Sequence, residues 1–302
     1  MTEIPFDLIL EHRAQAIERV LRGLLDDRPL DGEITRPARL FSAMRHGVLN
    51  GGKRLRPFLV LESAALFDQD GEAAHRVAAA LECVHCYSLI HDDLPSMDDD
   101  DLRRGQPTVH RAFDEATAIL AGDALLTFAF DVIADDATDL DPARKAALVL
   151  GLARAAGPGG MAGGQALDLE AERSAPDEDG IVRLQAMKTG ALIRFACEAG
   201  AILSGASEAD RERLAEYGSA IGLAFQLADD ILDVTATQDV MGKATGKDAA
   251  AGKATLVALN GVDWARRQLS GLVDQAQALL EPFGERVDVL KAAARFIAER
   301  DR

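Results

Sequence analysis

Cysteine is scarce in this chain, with three in 302 residues. Three thiols cannot build a disulfide framework, and so few point to a reducing, cytosolic compartment. One Trp and two Tyr are present, and no segment alternates as a half-buried strand requires. Basic residues are also in short supply: 33 Lys and Arg stand against 50 Asp and Glu, a net charge of −17. Like charge repels nucleic acid and anionic membrane, so neither is expected as a partner. Long apolar runs are missing too. The most apolar stretch, Thr117 to Ala134, is interrupted by Asp123 and Asp131, each costly in lipid, so no membrane insertion is expected. The first residues, MTEIPFDLILEH, carry Glu3 and Asp7 and no basic region, so they do not read as a signal peptide. Hydrophobic residues at 48% and charged residues at 27% exclude a disordered chain and a fibre.

What is present is helical periodicity. Leu10, Ala14, Ile17, Leu21 and Leu24 form a 4-3-4-3 stripe, and Val77, Leu81, Val84 and Ser88 repeat it. Further helices are expected over 117–134, 143–156, 181–204, 211–234 and 263–280. Turns fall at Asp31-Gly32, Asn50-Gly51-Gly52, 68–71, 157–160 and 174–180. None is long enough to link domains, so one all-α domain over 1–302 is the simplest organisation. Its central helices are apolar on more than one side and should be wholly buried.

Two acidic clusters interrupt this pattern. Residues 91–102 read HDDLPSMDDDDL and hold Asp92, Asp93, Asp98, Asp99, Asp100 and Asp101. Most charge runs are solvated loops. This one follows an apolar helix that Leu94-Pro95 breaks, so Asp92 and Asp93 sit at a helix C-terminus, where the macrodipole disfavours negative charge. The second cluster, Asp229, Asp230 and Asp233, lies inside an apolar helix, with Asp229 and Asp233 on one face. No basic residue occurs between Arg213 and Lys243. Carboxylates without a His–Cys set suit a hard cation such as Mg²⁺, which keeps waters and is shared with substrate phosphates. No EF-hand loop argues for Ca²⁺.

Cations that could answer the carboxylates are grouped as well. Residues 51–57 read GGKRLRP, Arg103 and Arg104 follow the aspartate run, and Lys188, Lys243, Lys247 and Lys253 each sit beside small residues. Arg offers a fork for phosphate oxygens and Lys a point charge. Surface solubility is the plainer explanation for Arg54 and Lys247, and an ion pair with the aspartates for Arg103. Together the groups suggest one phosphate held through metal and another held directly. Cys83 and Cys86 form a CxxC on an apolar helix, which reads as two buried small residues. His91 is either an orienting partner for the aspartates or a helix end. Residues 157–164 read as a glycine-rich loop before a helix, and Arg300 and Arg302 as a frayed terminus.

GGKRLRP (51–57), LIHDDLPSMDDDDLRRGQPTVH (89–110), ILAGDAL (119–125), MKTGALIR (187–194) and FQLADDILDV (225–234) together resemble the trans-isoprenyl diphosphate synthases, in that family's order. The resemblance spans about residues 45–260 and is nearest to bacterial farnesyl-forming members. It implies an all-α bundle around a deep central cavity and a homodimer. It also implies Mg²⁺-dependent condensation of isopentenyl diphosphate with dimethylallyl and geranyl diphosphates, with three Mg²⁺ ions per site. Carried over by motif, Asp92, Asp93, Asp98, Asp229, Asp230 and Asp233 would bind metal. Lys53, Arg56, His85 and Arg104 would hold isopentenyl diphosphate, and Arg103, Lys188, Lys243 and Lys253 the allylic diphosphate. Lys188, Thr189 and Gln226 would face the developing carbocation, with Arg103 at the leaving diphosphate. Gln165 and Asp168 match the family's cavity lining.

Tyr87 lies five residues before Asp92, about 7.5 Å lower on one helix. It is the only aromatic between Arg76 and His91, and it is the candidate floor that stops the growing chain at fifteen carbons. A geranylgeranyl synthase is the alternative. A class I terpene cyclase needs no second diphosphate site, which would leave Lys53, Arg56 and Arg104 without purpose. A regulatory subunit need not keep both aspartate clusters, and this chain has both.

Overall fold

The computed structural model describes residues 5–239 and 255–299. Among them the chain is almost wholly helical: α1 (Phe6–Leu24), α2 (Ala38–Val48), α3 (Leu55–Ala65), α4 (Glu72–Asp92), α5 (Val109–Ala112), α6 (Glu115–Ala134), α7 (Pro142–Ala156), α8 (Met161–Ala171), α9 (Glu178–Gln185), α10 (Ala191–Ser204), α11 (Glu208–Asp239), α12 (Leu256–Asn260), α13 (Val262–Leu280) and α14 (Asp288–Glu299). Packing divides it into two compact units. One holds Gln69–Val149 and the chain up to Leu61, the other Glu62–Asp68 and the chain from Leu150 on.

In the first unit α4 packs chiefly against α6. Its run from Val77 to Val84 is buried throughout, Glu82 included. On α6, Ala118, Ala121, Gly122, Leu125 and Ala129 are buried, so small side chains set that seam. The side chain of Asp114 caps α6 by accepting from the Thr117 N–H at 2.7 Å, and Arg39 donates to it at 2.6 Å. The α1 stripe buries Leu10, Ile17 and Leu21 as expected, but it ends on Leu25, which is fully buried, rather than on Leu24. Leu25 is four residues after Leu21 and its N–H still bonds the Leu21 carbonyl at 3.0 Å, so it stays on the buried face of the helix.

Two short strands, β1 (Leu102–Arg103) and β2 (Gln106–Pro107), pair antiparallel. The sequence pattern predicts no strand, because two residues are too few to alternate. Their turn is Arg104-Gly105, at φ 53° and 75°, which suits a two-residue hairpin.

In the second unit the 32-residue α11 packs against α10, α13 and α14. Tyr217, fully buried on α11, donates its hydroxyl to the Leu290 carbonyl at 2.7 Å. The segment expected as one helix over 181–204 is α9, a π-helical turn at Ala186–Gly190, and α10. Gly163 and Gly164 belong to helix α8 rather than to a loop.

Candidate active site

The first acidic cluster takes its shape from the end of α4. The Asp93 N–H still bonds the Leu89 carbonyl at 3.1 Å, after which Leu94-Pro95 turns the chain away. The loop then doubles back: the Asp98 N–H donates to the Asp92 carbonyl at 2.8 Å, and the Asp99 N–H to Leu94 at 3.1 Å. Residues six apart are thereby brought together. Asp92 is half-buried and Asp98 exposed. Asp93 differs from both. It is 3% exposed, and both its oxygens accept from Arg103, at 2.5 to 3.0 Å. Burial pushes the Asp93 carboxyl upward against the lowering effect of Arg103. Arg111 forms ion pairs with Asp99 and Asp101.

The hairpin separates two neighbouring guanidiniums. Arg103 turns to Asp93, while Arg104 donates to the Asn50 side chain at 3.1 Å and to the Gly51 carbonyl. Gly52, at φ 115°, makes room for it, since a Cβ there would lie 2.5 Å from the Arg104 guanidinium carbon. Arg56 approaches His85 on α4, with Nη1 3.5 Å from Nε2. Burial first, and then the positive charge of Arg56 and Arg104, hold His85 well below the ordinary histidine value. A neutral His85 leaves Nε2 free to accept from Arg56. The Arg56 Nε–H is buried with no partner. Lys53 is exposed beside them.

Arg54 is not a surface residue. Its side chain is 2% exposed and donates to Glu82 at 2.6 Å and to the Val48 carbonyl at 2.5 Å. The sequence hides this because Glu82 lies 28 positions away. Its one trace is an acid inside the apolar run AAALECV. Cys83 and Cys86 are buried free thiols, as expected. His91 turns to α6, with Nε2 3.0 Å from the Ile119 carbonyl, and the Tyr87 ring stands edge-on to it at 5.8 Å. Tyr87 is half-buried.

In the second unit, Lys188 and Thr189 lie in the π turn, a local widening often found at functional sites. Gly164 of α8 lets the turn come close, since a Cβ there would sit 2.5 Å from the Lys188 Cα. Lys188 donates to Asp168 at 2.5 Å. Gln185, not anticipated from the sequence, donates to the buried Asp230 at 3.0 Å. Asp229 is half-buried and Asp233 exposed, and with Gln226 and Asp230 they form one stripe of α11. Both amide atoms of Gln165 are buried without a partner. Lys243, Lys247, Lys253, Arg300 and Arg302 lie outside the described residues.

Both clusters fit Mg²⁺ by donor chemistry. Asp92 with Asp98, and Asp229 with Asp233, offer carboxylate oxygen only. Among the described residues no group of three ligand side chains is gathered. An open cleft of about 620 Å³ in the first unit, bordered by Leu24, Leu30 and Phe128, includes none of the residues nominated above.

Residues 37–291 match the family model for polyprenyl synthetase. The chain belongs to the polyprenyl synthetase family. Among its relatives in that family, the farnesyl diphosphate synthase of Escherichia coli K12 is 46% identical over 268 residues, covering 86% of this chain and 88% of that protein. Geranylgeranyl pyrophosphate synthase 9 of Arabidopsis thaliana is 41% identical over 272 residues, covering 88% and 76%. The solved structure of an FPP/GFPP synthase from Zymomonas mobilis superposes with a TM-score of 0.85 at 47% identity, covering 97% of this chain and 98% of that one. Polyprenyl synthetases this similar thus carry names for different products.

Proposed function

We propose that this protein is a prenyltransferase that joins isopentenyl diphosphate head-to-tail to dimethylallyl and geranyl diphosphates, forming farnesyl diphosphate. The observation that carries this reading is a pair of unlike anion sites on one helix. At its end α4 carries Asp92, onto whose carbonyl the Asp98 backbone folds back. His85, facing Arg56, comes seven residues earlier, roughly 10 Å along the axis. One diphosphate bound through metal and another bound by guanidinium would lie within reach of each other.

In the reaction the allylic C1–O bond breaks and diphosphate leaves with the electron pair. The isopentenyl double bond supplies the electrons of the new C–C bond to that carbon. A proton is then lost from isopentenyl C2, creating the new double bond, and the released diphosphate takes it up. Mg²⁺, when bound, neutralises the departing diphosphate. Metal would be held by Asp92 and Asp98 at the end of α4 and by Asp229 and Asp233 on α11, with Asp230 fixed by Gln185. Three such ions would serve the reaction. Asp93 aims Arg103, and Asp168 aims Lys188, at the leaving oxygens, with Lys243 and Lys253 completing the set. The Thr189 hydroxyl and the Gln226 amide oxygen turn their dipoles to the allylic cation. Lys53, Arg56 and Arg104 bind isopentenyl diphosphate, with His85 as the neutral support of Arg56. Tyr87 ends the product cavity at fifteen carbons. The enzyme acts in the cytosol as a homodimer, a reading supported by Ile119 and Leu120, which are 45% and 57% exposed on α6.

The test is direct. Purified protein is supplied with Mg²⁺, isopentenyl diphosphate and dimethylallyl or geranyl diphosphate, and products are separated by chain length. A C15 product that disappears on chelation is expected. A C20 main product would establish the geranylgeranyl alternative, and no condensation at all would overturn both.

A further inference from the structure

Arg54 is out of place for the segment that carries it. Its neighbours Lys53 and Gly52 are exposed, and it adopts φ 52°, a left-handed conformation that non-glycine residues rarely take. Its side chain nonetheless runs into the core, where it and Glu82 are each 2% exposed. Stability alone does not explain such a pair, because apolar side chains of similar volume are often as stable or more so. What the pair does do is tie three segments together. The guanidinium bonds the Val48 carbonyl at the end of α2, belongs to the turn that leads into α3, and bonds Glu82 on α4. Glu82 precedes His85 by three residues, one turn of the same helix. Arg54 on Glu82 and Arg56 on His85 therefore make two attachments, one turn apart, between the GGKRLRP segment and α4. Glu82 also acts electrostatically on both arginines.

We propose that the Arg54–Glu82 ion pair is a positioning device that presents Lys53 and Arg56 to isopentenyl diphosphate before the substrate arrives. This rests on the isopentenyl diphosphate site proposed above. Neither residue of the pair touches substrate. Glu82 attracts both guanidiniums, so that the receptor stays assembled while empty.

The experiment compares wild type with Arg54→Met, Glu82→Met and the double variant, measuring kcat, KM for each substrate and thermal midpoint. Each single change should raise the isopentenyl diphosphate KM by about tenfold or more, with kcat and the geranyl diphosphate KM within about twofold. The double variant removes both buried charges together, so its thermal midpoint should recover most of the loss. Its isopentenyl diphosphate KM should stay raised by about tenfold, which a merely structural role would not produce. Should the single variants not fold, the double variant decides alone. A KM that returns to normal with the midpoint, or equal effects on both substrates, would overturn the proposal. A wild type that condenses nothing would instead sink the function on which it rests.

Discussion

Asp92 and Asp93 are adjacent, and the end of α4 sends them to different tasks. Asp93 is buried under Arg103, while Asp92 shares the doubled-back loop with Asp98. Asp92→Ala should lower turnover by about 10²-fold or more with little change in thermal midpoint, because a metal-held charge stabilisation is lost. Asp93→Ala leaves the half-buried Arg103 guanidinium only its longer, 3.8 Å pair with Asp100 and should cost about 1–3 kcal/mol in denaturant unfolding. Similar midpoints for the two variants would show that the division is wrong. His85 gives a pH signature. Its native pKa lies well below the ordinary 6.5, from burial first and then the neighbouring arginines. Between those two values the unfolded chain binds the extra proton, so stability is present above about pH 6.5 and falls as pH drops below it. Unfolding of His85→Gln measured from pH 5 to 7 should depend less on pH than wild type. Tyr87 is the residue proposed to set product length. Its ring rests edge-on against His91, and Tyr87→Ala leaves a gap beside that ring which no neighbour on the helix fills, since Cys86 is buried elsewhere and Ser88 is held by the His85 carbonyl. Products should lengthen from C15 to C20 or beyond on chromatography. An unchanged distribution in an active variant would place the floor elsewhere.

Elements show why part of this was legible in the sequence and part was not. Periodicity places the helices because their burial is one-sided or complete, and both patterns survive in a linear string. The motif spacing similarly marks Asp92, Asp98, Asp229 and Asp233. What escapes is set by contacts distant in sequence. The π turn at Ala186–Gly190 leaves the apolar period of 181–204 nearly intact, and what permits it is the bare backbone of Gly164, over twenty residues earlier. The burial of Arg54 depends on Glu82 in the same way. Gly164 therefore offers a test of the whole element. A Cβ there would press at 2.5 Å on the Lys188 Cα and at 2.8 Å on the Met187 carbonyl carbon. Both are backbone and cannot swing aside. Gly164→Ala should destabilise by about 1–3 kcal/mol and lower turnover by displacing Lys188 and Thr189. Gly271 of α13 is the control: nothing lies within 4 Å of its added Cβ, so Gly271→Ala should stabilise by about 0.5–1 kcal/mol. If the two substitutions act alike in urea titrations, close approach does not shape the turn.

At the scale of the whole molecule, a net charge of −17 sets copies of this chain against each other. Association then requires an apolar surface strong enough to offset that repulsion. The candidate is α6, whose 18-residue window of mean hydropathy 1.7 is only 44% buried. A helix of this length and composition could in principle enter a membrane. Asp123 and Asp131, both exposed on it, make that costly. Burial of Ile119 and Leu120 against a second copy is less costly, because carboxylates in a protein contact can keep water at its edge, as they cannot in lipid. The face repeats on every copy, so a two-fold contact closes on itself without further growth. Wild type should therefore elute in light-scattering chromatography at twice the chain mass of 32.2 kDa. Leu120→Glu with Ile119→Glu adds two charges per copy at the contact and should shift the species to the single-chain mass, with helical circular dichroism retained. A wild type that is monomeric at micromolar concentration would remove the dimer. A double variant that still elutes at twice the chain mass would move the contact off α6.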